Sequence, residues 1–367
     1  MSFLKPLSKS GFIFDHIVGI GGIGSGMFLL LEGNDTLGRN ESRMAKLLPF
    51  KDFCKQHIIL HYLSVLLGAN ISGDFQSFPI GKVGDDETGR DCIKRMQAVG
   101  MDVSGISIEV NAPSLFSVCY QYPDGSGGNI TTEESASSKV SSADIDNFFK
   151  HFNLIGNKEI ILAVPEVPLQ TRIQLLQHGR KRGSLNVASL LSSEVEQFES
   201  WNGFLLADLL SVNIDEARNI AGISDDISDS KTIIDYCIKK VTEINPGIII
   251  LITDGSNGNY TYAKNSIQFT PALKVAVKST AGAGDGFLAG TIAGLCCGLP
   301  LNKNKRDNFF SESPLKTAVE LGTLLASLSV TSQDTIHLDA NTTLLYSFAQ
   351  QNNIVFDSEF SKMFSGV

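Results

Sequence analysis

The sequence predicts a three-layer α/β sandwich, in which helices cover both faces of a mostly parallel central sheet. Short apolar runs typical of buried strands alternate with segments whose apolar residues recur at helical spacing, and such alternation is typical of parallel sheets. Several of these runs end in a polar or glycine-containing turn. Since no repeat, low-complexity tract or long linker divides the chain, we expect a single domain over residues 1–367.

The composition is that of an ordinary globular protein. Hydrophobic residues make up 43% and charged residues 19% of the chain, which argues against disorder. The net charge of −9 disfavours a nucleic acid or an anionic membrane as a partner, because neither would be attracted over long range. No stretch reaches the roughly 18 to 20 apolar residues that a membrane span requires.

Cysteine usage and the first residues predict a cytoplasmic protein. The six cysteines form no C-x-x-C pair and lie in apolar segments, so we interpret them as buried free thiols in a reducing compartment. They are Cys54, Cys92, Cys119, Cys237, Cys296 and Cys297. The apolar run over 11–23 is short, is interrupted by Asp15 and His16, and lacks a clear cleavage site for a signal peptide.

Residues 12–20 predict the first buried strand, and a run of glycines follows. Gly19, Gly21 and Gly24 form a G-x-G-x-x-G pattern, which favours a competing dinucleotide site and a nicotinamide-dependent oxidoreductase. A Rossmann unit would continue with a crossover helix, a second strand and an acidic residue. Residues 32–43 are polar and turn-rich instead.

That polar run supplies candidate substrate-binding side chains. Asn34, Asp35, Asn40, Glu41 and Arg43 suit a polyhydroxylated or acidic ligand as a set, whereas each taken alone fits a solvated loop better. The guanidinium fork of Arg43 would suit a carboxylate or a phosphate.

Residues 50–68 predict a helix that ends at Gly68. His57 and His61 share one face of it, but further metal ligands are lacking nearby, so we interpret them as core or substrate-facing residues. Residues 78–104 predict a strand, a turn, and a second helix that is capped by Asp85 or Asp86. Residues 114–122 alternate like a strand, and a turn follows over 123–128.

Three later strands end in polar residues. The strand over 159–164 is followed by Glu166, which either faces a ligand at the sheet edge or caps a helix near Pro168. The apolar run 204–210 leads into Asn213 and Glu216, an N-x-x-E pattern that is also a common helix opening. The strand 247–252 is followed by a tight turn into a hairpin.

The stretch from Val277 to Gly290 predicts the chemical centre. A β-branched run ends at Lys278, glycines follow, and a helical period runs from Phe287 to Leu295. Bare backbone at Gly282 and Gly284 lets N–H groups face an anion such as phosphate. A carboxylate at position 285 would either cap the helix or take a proton from a group that attacks the phosphate.

Residues 279–290 resemble the second signature of the PfkB (ribokinase-like) carbohydrate kinases, D-T-T-G-A-G-D-x-F-x-x-G. The matching residues are Thr280, Gly282, Ala283, Gly284, Asp285, Phe287 and Gly290. The resemblance implies a ribokinase-like sandwich with a small β lid, formed here by approximately 25–50 and 105–132. It also implies that Asp285 is the catalytic base and that the amides of 282–284 form the anion hole.

Other segments extend the resemblance over about 78–330. The V-G-D-D-x-x-G and A-x-G-M-D-V patterns of 78–104 are similar to the family's. The resemblance implies that Asn213 and Glu216 organise Mg²⁺ and its waters, an arrangement that suits this ion. It places ATP beside a T-x-G-x-x-G turn and the glycine loop, and the implied ATP-binding residues are Thr253, Gly255, Asn257, Gly258 and Thr280.

Three departures from the family pattern stand out. Cys54 and Lys55 replace the glycine pair of the first signature, which helps to cradle the sugar, so the substrate is hard to transfer from relatives. Ser279 replaces the aspartate that helps to bind a monovalent cation, and residues 331–334, after the last predicted helix over 315–330, lack the usual glycine. The latter two departures argue against activation by K⁺.

The resemblance predicts an ATP-dependent kinase that transfers the γ-phosphoryl group to a hydroxyl of a sugar or related polyol. The candidate substrate-binding residues are Gly21, Gly22, Asn40, Arg43, His57 and Glu166. A nucleoside kinase of the same fold and a catalytically degenerate sugar- or nucleotide-binding protein stay as alternatives. Since relatives often dimerise through their lids, a homodimer is also an expectation.

Overall fold

A mostly parallel nine-stranded sheet forms the centre of the protein and confirms the predicted α/β class. The computed structural model describes residues 2–124, 127–152, 158–224, 227, 229–303 and 314–367. The strands are β1 His16–Ile20, β2 Gly24–Leu31, β3 Ala45–Phe53, β4 Gln76–Gly84, β5 Ile106–Glu109, β6 Leu115–Gln121, β7 Gly127–Thr131, β8 Glu159–Ala163, β9 Leu185–Ala188, β10 Leu209–Asn213, β11 Ile249–Thr253, β12 Gly258–Ala263 and β13 Ser266–Pro271. The helices are α1 Lys55–Leu67, α2 Glu87–Ala98, α3 Ser142–His151, α4 Leu169–Arg182, α5 Val195–Ser200, α6 Gly203–Leu206, α7 Ile214–Ala221, α8 Ser230–Ile244, α9 Ala283–Cys297, α10 Ala318–Ser329, α11 Thr342–Gln351 and α12 Ser358–Met363.

The order of the large sheet is β13-β12-β11-β10-β9-β8-β1-β4-β5. Neighbours from β5 to β11 pair in parallel, whereas β12 and β13 continue the sheet as an antiparallel hairpin. Val18 of β1 pairs with Phe78 of β4 on one side and with Ile161 of β8 on the other. All of β1 is buried. Burial on both faces explains why its sequence is a continuous apolar run.

Helices on both faces complete the three layers. One apolar cluster joins the sheet to α1, α9 and α10, and a second joins its opposite face to α4 and α8. The pair α9 and α10 packs closely because Gly290 and Gly322 face each other. A Cβ atom at Gly290 would lie 2.7 Å from the Cα atom of Gly322, so only glycine allows this approach.

A smaller sheet, in the order β3-β2-β6-β7, forms the predicted lid. Pairs β2–β3 and β6–β7 are antiparallel, and β2–β6 is parallel. The inner end of β3 is attached to the loop after α10: Lys51 N donates to Asp334 Oδ1 at 2.8 Å, and Phe53 N donates to Thr335 Oγ1 at 2.9 Å. The predicted segment 105–132 includes β5, which belongs to the large sheet. Gly125 and Ser126 of the predicted turn lie outside the described residues.

Several predicted element boundaries were wrong. The helix predicted over 50–68 begins at Lys55, because residues 45–53 pair with β2 as strand β3. The first strand is limited to His16–Ile20, the part that pairs on both sides. In the run 204–210, the first residues belong to the short helix α6, and β10 begins only at Leu209.

The region around the glycine turn also differs from the prediction. The strand predicted to end at Lys278 is absent, since β13 ends at Pro271 and residues 272–278 form no strand. Lys278 N instead donates to Val330 O at 2.8 Å, at the end of α10. Helix α9 begins at Ala283, four residues before the apolar period, and its first turn, which contains Asp285, lines a cavity. The segment 315–330 does not contain the last helix, since α11 and α12 follow.

Two further sequence features have a structural counterpart. Each of the six cysteines is a buried free thiol, as predicted. In the part of the chain that the structure describes, no helix has the length and apolar character needed to cross a membrane.

Candidate active site

A cavity of about 1270 Å³ lies between the lid and the carboxyl ends of the central strands. Its walls come from the ends of β10 and β11, the first turn of α9, the start of α1, and lid strands β2, β3, β6 and β7. Parallel sheets of this kind bind ligands at this edge, because the turns that follow the strands meet there. The cavity therefore brings together segments that are far apart in the sequence.

The glycine turn before α9 forms one wall of the cavity. Gly282 is the N-cap residue and has a φ of 78°, in the left-handed region that favours glycine. A Cβ atom there would lie 2.3 Å from the carbonyl oxygen of Thr335. The Ala283 amide donates to Thr280 O at 3.2 Å, and the Gly286 amide donates to Gly282 O at 2.9 Å, whereas the amides of Gly284 and Asp285 have no partner within the helix. Those amides, together with the helix dipole, favour an anion at this point.

Asp285 lies in the first turn of α9, and its side chain lines the cavity. The side chain is 14% exposed. Burial raises the pKa of its carboxyl to about 6; Lys55 opposes this rise, and the carboxylates of Glu216 and Asp52 add to it. A carboxylate with a pKa near neutrality is a suitable acceptor for a hydroxyl proton.

Asn213 and Glu216 form a capping box at the start of α7. Asn213 Oδ1 accepts from Glu216 N, and Glu216 Oε2 accepts from Asn213 N, both at 2.8 Å. Both residues also line the cavity. The other carboxylate oxygen, Oε1, lies 4.0 Å from the ammonium group of Lys55. The capping role and a role at the cavity are therefore compatible, because each uses a different oxygen of Glu216.

The fit of these residues to Mg²⁺ follows from their chemistry. Magnesium keeps several waters and takes few protein groups, so one carboxylate oxygen and a neighbouring asparagine suit a water-mediated site. Within the described ranges, no group of three or more His, Cys, Asp or Glu side chains is arranged to hold a metal by itself.

Lys55 lines the cavity, and no sequence pattern predicts this position for it. It is the first residue of α1, and its ammonium lies 3.9 Å from Asp285 Oδ1. Burial alone would lower its pKa, but the nearby carboxylates of Asp285, Glu216 and Glu166 outweigh burial and raise it. The only sequence signal was its position in place of a glycine.

Asp52 is a second residue that the sequence analysis missed. It lies near the end of β3 and faces the cavity, where its Oδ2 accepts a hydrogen bond from Ser117 of β6. Burial raises the pKa of Asp52, and the Ser117 hydrogen bond opposes that rise. The lid thus contributes a buried carboxylate to the cavity. The sequence pattern predicts a helix over residues 50–53, and this wrong helix start is the reason that Asp52 was not predicted.

Glu166 lines the cavity from the turn after β8. Its φ of 77° is unusual for a residue other than glycine, and strain of this kind is concentrated at functional sites. Burial raises the pKa of its carboxyl to about 7. Its Oε2 atom is buried and has no hydrogen-bond partner among the described residues. That oxygen is therefore a buried acceptor whose hydrogen-bonding capacity is unused among the described residues.

The residues expected to bind ATP lie together. Thr253, Gly255, Asn257 and Gly258 surround the turn between β11 and β12, and they line the cavity with Thr280. Gly255 and Gly258 have positive φ values of 52° and 128°. The hairpin predicted from the sequence is therefore also present, since β11 and β12 pair in antiparallel.

The structure places the remaining candidates outside the cavity wall. Gly21 and Gly22 lie behind it, where a Cβ atom at Gly22 would be 2.5 Å from Glu166 Cβ, so glycine there makes room for that side chain. Asn40 is exposed, and Arg43 pairs with Glu41 within the same loop. His57 is fully buried against the ring of Phe53, at 4.9 Å between ring centroids. Their roles in substrate binding stay predictions.

Comparison with known proteins identifies the family. The model of the family described as "pfkB family carbohydrate kinase" matches residues 61–342, which is more than half of the chain. A probable fructokinase-7 from Arabidopsis thaliana is 26% identical over 286 residues, which cover 74% of this chain and 78% of the plant protein.

Solved structures share the fold. Ribokinase from Cryptococcus neoformans var. grubii serotype A, in complex with ADP, has a TM-score of 0.69 at 17% identity and covers 91% of this chain and 99% of its own. A nucleoside kinase from Burkholderia thailandensis, in complex with inosine, has a TM-score of 0.67 at 16% identity and covers 92% of this chain and 99% of its own. Identities this low show a ribokinase-like fold and do not specify a substrate.

Proposed function

The chain belongs to the pfkB family and is an ATP-dependent carbohydrate kinase, and from this premise we propose that it transfers the γ-phosphoryl group to a hydroxyl of a sugar or related polyol with Asp285 as the base. The observation that carries the assignment is the position of Asp285. Its partly buried carboxyl, with a pKa of about 6, lies in the large cavity beside the amides of Gly284 and Asp285, for which no helical partner is found among the described residues. A base and an anion site are thus adjacent, as phosphoryl transfer requires.

ATP would lie along the wall formed by the β11–β12 turn and the glycine turn. Apolar side chains line this part of the cavity and suit the flat faces of an adenine ring; they include Leu273, Val275, Ala326 and Val330. The glycine turn would then meet the γ-phosphate. Asn213 and Glu216 would hold Mg²⁺ through its waters, and the ion would supply charge neutralisation to the phosphates.

The acceptor would lie on the lid side, next to Asp52 and Glu166. Both residues line the cavity: Asp52 is buried, whereas Glu166 is partly buried, and its buried Oε2 atom has no hydrogen-bond partner within the described ranges. Hydroxyl groups donate to carboxylate oxygens, so these residues suit a polyhydroxylated molecule. In the reaction, Asp285 would take the hydroxyl proton while the amides near Gly284 stabilise the developing negative charge.

We extend this proposal to the organisation of the protein. The chain would act as one kinase unit over residues 1–367, whose lid closes over the substrate and excludes water as a competing acceptor. Six buried free thiols favour a reducing cytoplasm. Exposed apolar side chains at Met44, Leu47 and Ile130 on or beside lid strands favour a homodimer formed through the lid.

The experiment is a measurement of ADP release from MgATP across sugars, sugar acids, sugar phosphates and nucleosides, with Asp285→Asn in parallel. Turnover with one acceptor class, lost in Asp285→Asn and retained in the exposed control Asp235→Asn, is the expected result. Turnover with nucleosides alone would replace the sugar with the nucleoside alternative. Full activity in Asp285→Asn would refute the assignment of the base.

A further inference from the structure

The ammonium group of Lys55 lies between two carboxylates of the cavity. Nζ is 3.9 Å from Asp285 Oδ1 and 4.0 Å from Glu216 Oε1. Both separations exceed hydrogen-bond length, and Lys55 Nζ makes no hydrogen bond to any side chain or carbonyl within the described ranges. An ammonium group has three N–H donors, so this one retains its donors for a ligand.

Lys55 owes this position to the start of α1. Cys54 is the N-cap in extended conformation, so Lys55 is the first helical residue and its side chain, 28% exposed, points into the cavity that it lines. The family pattern has a glycine here, which has no side chain. The replacement therefore introduces a positive charge into a place that the pattern leaves free for the ligand.

The carboxylates around Lys55 indicate how its ammonium group would affect a bound nucleotide. The carboxylates of Asp52, Glu166, Glu216 and Asp285 all line the cavity. A nucleotide polyphosphate would be repelled by this set, because like charges in a partly buried site are weakly screened. Lys55 lies between Glu216 on the side proposed for the metal and Asp285 on the side of the base. With the nucleotide and acceptor placed as proposed above, a phosphoryl group moving toward a hydroxyl near Asp285 would pass this point.

We propose that Lys55 is a catalytic residue that contacts the γ-phosphoryl group of ATP during its transfer, an inference that rests on the function proposed above. In that step the acceptor oxygen forms a bond to the γ-phosphorus while its proton passes to Asp285. The bond from the γ-phosphorus to the oxygen bridging the β-phosphate breaks, and this oxygen keeps the electron pair as ADP leaves. Lys55 donates to the non-bridging oxygens, over which the charge is spread.

The test compares Lys55→Met, Lys55→Arg and the control Lys240→Met in the full chain. Lys240 also pairs with a carboxylate, Glu199 at 3.0 Å, but it lies on α8 and does not line the cavity. Two quantities are measured: kcat with the best acceptor, and the affinities for ADP and for a non-hydrolysable ATP analogue. The analogue differs from ADP by the γ-phosphate, so the ratio of the two affinities reports contact with that group even without turnover.

We expect Lys55→Met to lower kcat by about 10²- to 10³-fold, the loss typical of removing one transition-state donor. It should weaken the ATP analogue at least about tenfold while ADP binding stays within about twofold. Lys55→Arg should recover part of kcat, and Lys240→Met should behave as wild type. The acid limb of kcat/KM should also move to higher pH in Lys55→Met, because Lys55 holds down the pKa of Asp285.

The outcomes separate the two proposals. An active wild type whose Lys55→Met variant keeps both kcat and the preference for the ATP analogue would overturn the role of Lys55 and leave the kinase intact. A wild type without turnover, whose preference for the analogue is nevertheless lost in Lys55→Met, would support the phosphate contact and reject the proposed phosphotransfer.

Discussion

Replacing Asp285 with asparagine should abolish catalysis and, at neutral pH, stabilise the protein. The folded state keeps the Asp285 carboxyl buried and raises its pKa from the ordinary 3.8 to about 6. At about 1.4 kcal/mol per pH unit, holding the ionised form in this site costs about 3 kcal/mol at pH 7.5. An amide of the same shape avoids this cost but loses the attraction to Lys55, which is already included in that pKa. We therefore expect a gain of about 1 to 3 kcal/mol.

The stability difference between wild type and Asp285→Asn should change with pH in a definite direction. As the pH falls from above 6 toward 3.8, wild-type Asp285 takes up a proton in the folded state before it does so in the unfolded state. Wild-type stability therefore rises relative to the asparagine variant, and the difference disappears near pH 4. For a chain of 367 residues, 1 kcal/mol corresponds to about 1 to 2 °C in Tm.

The assay is thermal unfolding of both proteins, without ligand, at pH 7.5 and at about pH 4.5. The variant should melt about 1 to 4 °C higher at pH 7.5, and the gap should be much smaller at pH 4.5. A variant that is less stable than wild type at pH 7.5, or a gap that does not change with pH, would refute the view that Asp285 is held ionised against the cost of burial. The exposed variant Asp235→Asn controls for the general effect of removing a carboxylate.

Three other changes have expected outcomes that follow from the same geometry. Gly282→Ala should lower the free energy of unfolding by at least about 2 kcal/mol and remove most of kcat. The φ of 78° is strained for alanine, and Thr335 O would lie 2.3 Å from the new Cβ atom. An unchanged unfolding curve in urea would contradict this. Asp52→Asn should raise KM for the acceptor about tenfold or more and leave KM for ATP nearly unchanged, since Asp52 lies on the lid side of the cavity. Steady-state kinetics with each substrate varied in turn would test this. A rise in KM for ATP with an unchanged KM for the acceptor would contradict it. Burial lowers the pKa of His57 to about 3 and of His61 to about 4. The free energy of unfolding should therefore fall as the pH drops from 6.5 toward these values, by up to about 1.4 kcal/mol per pH unit for each histidine. Chemical unfolding between pH 7 and 5 should show a smaller loss of stability in His57→Leu than in wild type.

The fold and the glycine turn were accessible from the sequence because they depend on local patterns. Buried parallel strands such as β1 are continuous apolar runs, and a turn that only glycine can form at position 282 leaves a recognisable signature. Asp285 follows directly from that turn. The position of Asp285 at the cavity was thus encoded within a dozen neighbouring residues.

Lid strand β3 could not be predicted from local sequence patterns. Its partner β2 is fixed by pairing across the lid, and a register shift between Met27 and Phe28 places Pro49 and Phe50 opposite no partner. Proline is tolerated at such a bulge, but in a sequence it argues against a strand. The apolar residues of β3 therefore merged with those of α1, and the prediction lost Asp52 as a cavity residue.

Lys55 shows a second reason why a cavity residue could not be predicted from the sequence. A residue that replaces a family glycine indicates only that something has changed, since the direction of its side chain depends on where the helix begins. That start is set by the end of β3, a nonlocal element. Both residues that the sequence analysis missed hence trace to a single boundary, at residues 52 to 55.

The attachment of β3 to the loop after α10 has a mechanical consequence. Thr335 holds the inner end of the strand through Phe53 N, and its carbonyl oxygen lies against Gly282 at the anion turn. One short loop thus anchors both the hinge side of the lid and the place where phosphate is expected. We expect opening for substrate entry to bend the outer part of the lid, while its root stays in register with the turn that receives the phosphate.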